Sequence, residues 1–148
     1  MDDRALLGDV PLGKLSGAKV LVVDDEEEIR TFLTALFEDE GAMVFEAADG
    51  LEALEVAERK KPDLITLDLS MPGKDGIDTF CDLRHNPATE EIPVCIITGH
   101  PEFRTVIYDR PVTPPEGFID KPCQPDHVVD TVRRILGLRK LKQSRAGE

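Results

Sequence analysis

The stretch at residues 63–73, with the sequence DLITLDLSMPG, constrains the fold more than any other part of the chain. Its apolar residues form a short run that is typical of a β-strand buried on both faces. The run stops at Asp68, and the Pro72-Gly73 pair prevents a regular continuation. Asp68 is therefore expected where a buried strand opens into a loop, at the edge where open α/β sheets bind ligands. A turn-forming or helix-capping aspartate would also suit this position. The other segments of the chain are needed to distinguish these roles from a ligand-binding one.

Strand-like and helix-like segments alternate along the chain. The predicted strands are residues 19–23, 43–45, 63–68, 92–98 and 117–120. The predicted helices are residues 26–40, 51–60 and 76–85, a fourth that starts near residue 101, and a fifth that starts near residue 125. Such alternation predicts a parallel sheet with helices on both faces. A flavodoxin-like, doubly wound α/β fold of five strands in the order 2-1-3-4-5 is expected.

Helical spacing also predicts which side chains face the core. Phe32 in the first helix, Leu51 in the second and Val106 in the fourth are expected to point inwards with their apolar neighbours. A proline-rich loop at residues 111–115 follows the fourth helix, so that helix must be short.

Charge is unevenly distributed, and this limits the possible partners. The formal net charge of −12 argues against nonspecific nucleic-acid binding by the body of the protein. Residues 131–147, in contrast, contain six basic residues and no acidic one. Three units are expected: an extension at residues 1–17 that is mostly loop, a domain at 18–137, and a basic tail at 138–148. The tail is either a solvated helix end or a contact for an acidic partner.

Composition indicates a cytoplasmic protein. The chain is 41% hydrophobic and 32% charged, as expected for a globular fold, and its apolar runs are too short to span a bilayer. Residues 1–17 lack the pattern of a signal peptide. The three cysteines have neither metal-binding nor disulfide spacing, which fits reduced thiols.

Functional groups follow four of the predicted strands. Asp24 and Asp25 follow the first, Asp68 the third, Thr98 ends the fourth and Lys121 follows the fifth. All these strand ends lie at one edge of a parallel sheet, so the groups should converge. Three neighbouring carboxylates call for a cation, and an all-oxygen site suits Mg²⁺. A carboxylate can also act as a nucleophile in phosphoryl transfer, with a metal, an ammonium and a hydroxyl stabilising the transferring group.

The motifs that carry these groups resemble those of a known family. They are VVDDE at residues 22–26, DLSMPG at 68–73, ITG at 97–99 and DKP at 120–122. Together they resemble the receiver domain of two-component response regulators over residues 18–137. The resemblance implies that Asp68 accepts a phosphoryl group from the phosphohistidine of a sensor kinase. It also implies that Asp25, Asp68 and the Ser70 carbonyl bind Mg²⁺ directly, with Asp24 acting through water.

The resemblance assigns roles to further positions. Lys121 would pair with the phosphoryl group, and its bond to Pro122 is expected to be cis. Thr98 would move its hydroxyl onto the phosphoryl group, and Phe118 would turn inwards in response as an aromatic switch. A core aromatic residue on an edge strand is the alternative interpretation of Phe118. Gly99 would keep the phosphoryl group accessible.

Two further positions concern the lifetime of the phosphoryl group. Ser70 and His100 lie two residues beyond the acceptor and the threonine, where the family tunes this lifetime. A solvent-exposed loop residue is the simpler interpretation of His100.

Other functions fit the sequence less well. A phosphatase that works through an aspartyl-phosphate, of the haloacid-dehalogenase type, would carry a second aspartate two residues after the first, where this chain has Ser70. A flavodoxin would have a phosphate-binding loop rich in serine, threonine and glycine after the first strand. An inert pseudo-receiver would not keep the full set of acids, threonine and lysine.

We therefore expect a receiver that catalyses only its own phosphorylation and dephosphorylation and is not otherwise an enzyme. Because the chain ends soon after the last helix, a stand-alone domain is expected. The expected partners are a sensor histidine kinase or phosphotransfer protein and a downstream protein target, without membrane or nucleic-acid binding. The proline-rich loop, together with Tyr108, is expected to influence partner choice.

Overall fold

The computed structural model describes residues 13–70 and 75–146 of the chain. Within these ranges five strands and five helices alternate. The strands are β1 (Lys19–Val23), β2 (Met43–Ala47), β3 (Leu64–Leu67), β4 (Val94–Thr98) and β5 (Gly117–Asp120). The helices are α1 (Glu27–Asp39), α2 (Gly50–Lys60), α3 (Gly76–His85), α4 (Phe103–Tyr108) and α5 (Pro125–Ala146).

All strand pairings in the sheet are parallel, and the strand order is β2-β1-β3-β4-β5. Every residue of β3 and β4 is buried, because helices cover both faces of the sheet. The predicted doubly wound fold and strand order are confirmed. The carboxyl ends of β1, β3, β4 and β5 consequently lie at one edge.

Two apolar cores lie on opposite faces of the sheet. Phe80, Leu83 and Ile107 belong to the core under α2, α3 and α4. Leu33 and Phe37 of α1 pack with apolar residues of α5 in the other core. Buried Leu15 joins this second core, so part of the N-terminal extension contributes to packing. Residues 1–12 of the extension lie outside the described residues.

Local sequence explains where several helices begin and end. The carboxylate of Asp49 accepts a hydrogen bond from the backbone N–H of Glu52 at 2.9 Å and caps α2. Asp75 caps α3 in the same way, accepting from Asp78 at 2.8 Å. Gly41 follows α1 with φ +91°, and a Cβ there would lie 2.6 Å from the Ser16 hydroxyl. These contacts fix where α2 and α3 begin and where α1 ends.

Three predictions of inward-facing residues are wrong. Phe32 is 40% exposed, Leu51 is 70% exposed and Val106 is 40% exposed. The apolar stripe that contacts the sheet is narrower than helical spacing suggested, because the sheet covers only part of each helix surface. The prediction of a short fourth helix is confirmed, since α4 has only six residues.

Buried Arg84 of α3 anchors the proline-rich loop. Its Nε donates to the Thr113 carbonyl at 3.0 Å, and its Nη1 donates to the Ile92 carbonyl at 2.8 Å. Its Nη2 donates to the Pro114 carbonyl at 3.1 Å and to Glu116 Oε1 at 2.7 Å. One guanidinium thus ties the loop before β5 to α3 and to the start of β4. None of the described helices is long and apolar enough to cross a bilayer.

Candidate functional site

Backbone hydrogen bonds fix the positions of the residues that follow the strands. The Asp24 N–H donates to the Ala47 carbonyl at 3.2 Å, and the Asp68 N–H donates to the Val23 carbonyl at 3.0 Å. The Lys121 N–H donates to the Thr98 carbonyl at 2.8 Å. Each residue therefore extends the ladder of its strand, and its side chain is held at the edge of the sheet.

Three aspartates form a compact acidic cluster at this edge. One carboxylate oxygen from each of Asp24, Asp25 and Asp68 lies within 4.8 Å of the others. Asp24 and Asp68 are buried, and Asp25 is half-buried. Octahedral Mg²⁺ binds oxygens at about 2.1 Å, so opposite ligands lie about 4 Å apart. The donor set and its spacing therefore fit Mg²⁺ with a small closure of the carboxylates.

Lys121 is the cation of the site. Its Nζ donates to Asp24 Oδ2 at 2.8 Å and lies 3.9 Å from Asp68 Oδ1. It also lies 3.8 Å from Glu26 Oε1. One ammonium cannot neutralise this group of acids, which leaves negative charge for a metal ion. The bond between Lys121 and Pro122 is cis, as predicted.

This environment changes the acid–base properties of the site. Burial, reinforced by the neighbouring charges of Asp24 and Asp25, raises the pKa of Asp68 to about 6, although Lys121 and the Ser70 N–H act in the opposite direction. Burial acts to lower the pKa of Lys121, but the hydrogen bond and charge of Asp24, with help from Asp68, outweigh it and leave that pKa raised. Asp68 is thus a carboxylate that is costly to ionise without a further cation.

The structure places three of the other predicted residues beside Asp68 or Lys121. The Ser70 N–H donates to Asp68 Oδ1 at 3.3 Å. Thr98 is buried, and its Oγ1 accepts from the His100 N–H at 3.1 Å. A Cβ placed on Gly99 would have Lys121 Cβ as its nearest contact, at 4.0 Å, so the space beside the site is open.

The side chains of two predicted residues make their described contacts outside the acidic cluster. His100 is exposed, with its Nδ1 3.1 Å from Glu102 Oε1 and its ring 5.3 Å from that of Phe103. Phe118 pairs with Ile96 in the sheet and packs, half-buried, against the core beneath α4. Residues 71–74, which include the predicted Pro72-Gly73 break, lie outside the described residues.

Two contributions to the site were missed at the sequence level. Arg30 of α1 donates from Nη1 to the Asp24 carbonyl at 2.8 Å, and its Nε lies 3.5 Å from Glu46 Oε1. The Glu26 N–H donates to Asp24 Oδ1 at 2.9 Å. Glu26 and Arg30 are four residues apart at the start of a helix, a spacing that places both on the side of the acids.

The fold and this edge together define a class of protein. A doubly wound sheet that gathers acids, a threonine and a lysine at its carboxyl edge has the architecture of a receiver domain. The family model of the response regulator receiver domain matches residues 20–133, and the chain belongs to this family. It is a receiver domain of two-component signalling, a class of modules that in general signal rather than act as enzymes.

Known proteins agree with this assignment. The chain is 36% identical to sporulation initiation phosphotransferase F of Bacillus subtilis over 121 residues, 82% of this chain and 95% of the relative. It is 32% identical to the chemotaxis protein CheY4 of Vibrio cholerae, whose structure aligns with a TM-score of 0.72 over 80% of this chain and 98% of that one. NtrX from Brucella abortus aligns with a TM-score of 0.78 and 30% identity over 88% of this chain, but only 29% of NtrX is covered.

Proposed function

We propose that this receiver accepts a phosphoryl group on Asp68 from the phosphohistidine of a sensor kinase or phosphotransfer protein. Phosphorylation would then switch protein–protein contacts or pass the phosphoryl group on. The observation that carries the proposal is the position of the Lys121 ammonium, which lies 3.9 Å from Asp68 and 2.8 Å from Asp24 in an acidic cluster. A structural aspartate in a turn would need neither the cation nor the other acids.

The acidic cluster is suited to hold Mg²⁺. Asp25, Asp68 and the backbone carbonyl of Ser70 would be direct ligands, and Asp24 would act through water. When bound, Mg²⁺ supplies positive charge to the oxygens of the phosphoryl group. The closely spaced carboxylate oxygens support this role, because they gather negative charge in one place. The raised pKa of Asp68 supports it as well, because a buried carboxylate beside Asp24 and Asp25 is costly to ionise without a further cation.

The chain's own side chains would perform the transfer. An oxygen of Asp68 forms a bond to phosphorus while the phosphorus–nitrogen bond of the donor breaks, and the imidazole leaves with the nitrogen electron pair. Lys121 would hold one phosphoryl oxygen by its ammonium. The Thr98 hydroxyl accepts a hydrogen bond from the His100 N–H in the structure, and it would donate its own proton to another phosphoryl oxygen. The open space beside Gly99 would admit the donor.

We further propose that residues bordering the phosphorylated site regulate it. Ser70 and His100 would border the path of the hydrolytic water and set the phosphoryl lifetime. Phe118 would turn inwards when Thr98 engages the phosphoryl group, and this motion would carry the signal to the surface of α4 and β5.

Partner binding is proposed for two surfaces. The proline-rich loop at residues 111–115 is fixed by Arg84, and Tyr108 lies partly exposed on the preceding helix, so this region offers a preformed contact. The basic tail continues α5 to Ala146 and would suit an acidic partner. Residues 18–137 are proposed as the receiver unit. The free thiols of all three cysteines are consistent with a cytoplasmic location.

The direct test uses the full chain, Mg²⁺ and a small phosphoryl donor. Incubation with acetyl phosphate, followed by intact mass, should show one added phosphate in the wild-type protein. The adduct should be absent in Asp68→Asn and present in Asp109→Asn, which changes an exposed aspartate at the end of α4. Absence of an adduct in wild-type protein that binds Mg²⁺ would contradict the proposal.

A further inference from the structure

A cation and two aromatic rings form a cluster between α4 and β5. The guanidinium carbon of Arg104 lies 5.2 Å from the centre of the Phe118 ring and 5.7 Å from that of Tyr108. The two rings are 6.5 Å apart and tilted by 37°. Arg104 and Tyr108 belong to α4, whereas Phe118 belongs to β5. The cluster therefore joins the short helix to the edge strand.

Arg104 is exposed, and no acid among residues 13–70 and 75–146 forms an ion pair with it. Its guanidinium is therefore available for the contacts with the two rings. Its contact with Tyr108 lies within one helix, four residues apart. The contact with Phe118, in contrast, depends on the position of a side chain in a different element. A rotation of Phe118 away from its present position would break this contact and leave the other intact.

We propose that Arg104 is a positioning residue that holds Phe118 in its unphosphorylated position. This inference rests on the proposed function, because it concerns the switch that phosphorylation of Asp68 would operate. The cation–π contact stabilises the present position of Phe118 relative to the inward one. Arg104 therefore opposes activation, and the energy of its contact with Phe118 must be overcome when the site is phosphorylated.

Thermodynamic linkage gives the size of the effect. Arg104 shifts the equilibrium between the two positions of Phe118 towards the present one by a certain factor. A ligand that requires the inward position binds more weakly by the same factor. An exposed cation–π contact biases such an equilibrium by about two- to fivefold. Removing the guanidinium should therefore tighten binding of a phosphoryl mimic by about two- to fivefold.

The experiment is a titration of the full chain with beryllium fluoride, a phosphoryl mimic, at saturating Mg²⁺. Tyr108 is the only tyrosine and the chain has no tryptophan, so tyrosine fluorescence reports on this cluster. Midpoints are compared for wild type, Arg104→Ala and Arg104→Lys. Arg110→Ala is the matched control, since it removes an exposed arginine just beyond α4 that contacts no ring in the described part of the chain. Arg104→Ala is then repeated with Phe118→Leu, which keeps the apolar bulk without the ring.

We expect Arg104→Ala to bind beryllium fluoride more tightly than the wild-type protein. The affinity of Arg104→Lys should lie between the two, and that of Arg110→Ala should equal the wild-type affinity. The effect of Arg104→Ala should disappear when Phe118 is leucine, which a merely structural role would not produce. The proposal would be overturned if the midpoint in Arg104→Ala is unchanged or lies at a higher beryllium fluoride concentration, or if the effect persists in the Phe118→Leu background. In those cases the wild-type protein still binds beryllium fluoride, so the result does not contradict the proposed function. If wild-type protein fails to bind beryllium fluoride, both proposals fall.

Discussion

The cost of keeping a charged Asp68 in the folded protein leads to a quantitative prediction. Without Mg²⁺ at pH 7.5, the Asp68→Asn variant should have a higher free energy of unfolding than the wild-type protein. Asparagine has no charge to bury beside Asp24 and Asp25, and its Oδ1 can still accept the hydrogen bond from the Ser70 N–H. The substitution therefore removes the cost of burying a charge, which together with the repulsion exceeds the lost attraction to Lys121, and it retains the local hydrogen bond.

The magnitude follows from the pKa of Asp68. Its value rises from 3.8 to about 6 on folding, and about two pKa units correspond to nearly 3 kcal/mol. Relaxation around a buried charge reduces this cost in folded proteins, so we expect about 1–2 kcal/mol. For a chain of this size that is about 3–8 °C in the unfolding temperature.

The sign of the pH dependence follows from the same shift. Below pH 3.8 Asp68 is protonated in both the folded and the unfolded chain, so it carries no penalty. Between 3.8 and about 6 the folded protein binds the extra proton, and the penalty grows as pH rises. Above about 6 the penalty is complete. The gain in the free energy of unfolding from Asp68→Asn should therefore be large at pH 7.5 and fall steadily as the pH decreases towards 4.

Urea unfolding followed by circular dichroism, in EDTA from pH 4.5 to 8, measures this difference. Asp109→Asn serves as the control, because it removes one charge from an exposed position. Added Mg²⁺ should stabilise wild type more than Asp68→Asn, which lacks a carboxylate ligand. The reasoning is refuted if Asp68→Asn is no more stable than wild type at pH 7.5 in EDTA, or if its advantage does not depend on pH.

Two further predictions concern residues that hold the site and the proline-rich loop. Arg84→Ala should destabilise the protein by roughly 3–5 kcal/mol, because it leaves the buried Ile92 carbonyl, the Thr113 carbonyl and the Glu116 carboxylate without this donor. Urea unfolding measures this loss, whereas Arg59→Ala, at an exposed ion pair, should change stability by less than about 1 kcal/mol. Lys121→Met should raise the pKa of Asp68 above about 6 in metal-free protein, since it removes the ammonium that lowers it. Carboxyl NMR titration tests this, and an unchanged pKa would contradict the role given to Lys121.

Much of the fold was predictable because it depends on local patterns. Buried strands have to be apolar, and the helices between them have to carry an apolar stripe, so element order and strand topology follow from the sequence. The exposure of Phe32, Leu51 and Val106 was not predictable in this way. Periodicity gives the direction of an apolar face, but its width depends on how much of the helix the sheet covers.

The contacts of Arg84 and Arg104 show a second limit. Arg84 reaches residues about 30 positions away, and Arg104 contacts Phe118 in another element. Neither arginine stands in a motif, and a single basic residue on a helix is normally a solvated surface group. Their partners become neighbours only when the chain has folded.

The meeting of the acids, Thr98 and Lys121 at one edge follows from the chain's pattern of strands, because parallel strands have their carboxyl ends together. The interactions among these groups become visible only in the folded protein: Lys121 donates to Asp24 and lies 3.9 Å from Asp68, and the pKa of Asp68 is raised to about 6. Topology fixes which groups converge. Electrostatic energies, in contrast, depend on distances of a few ångströms and on burial, which packing of the whole chain sets.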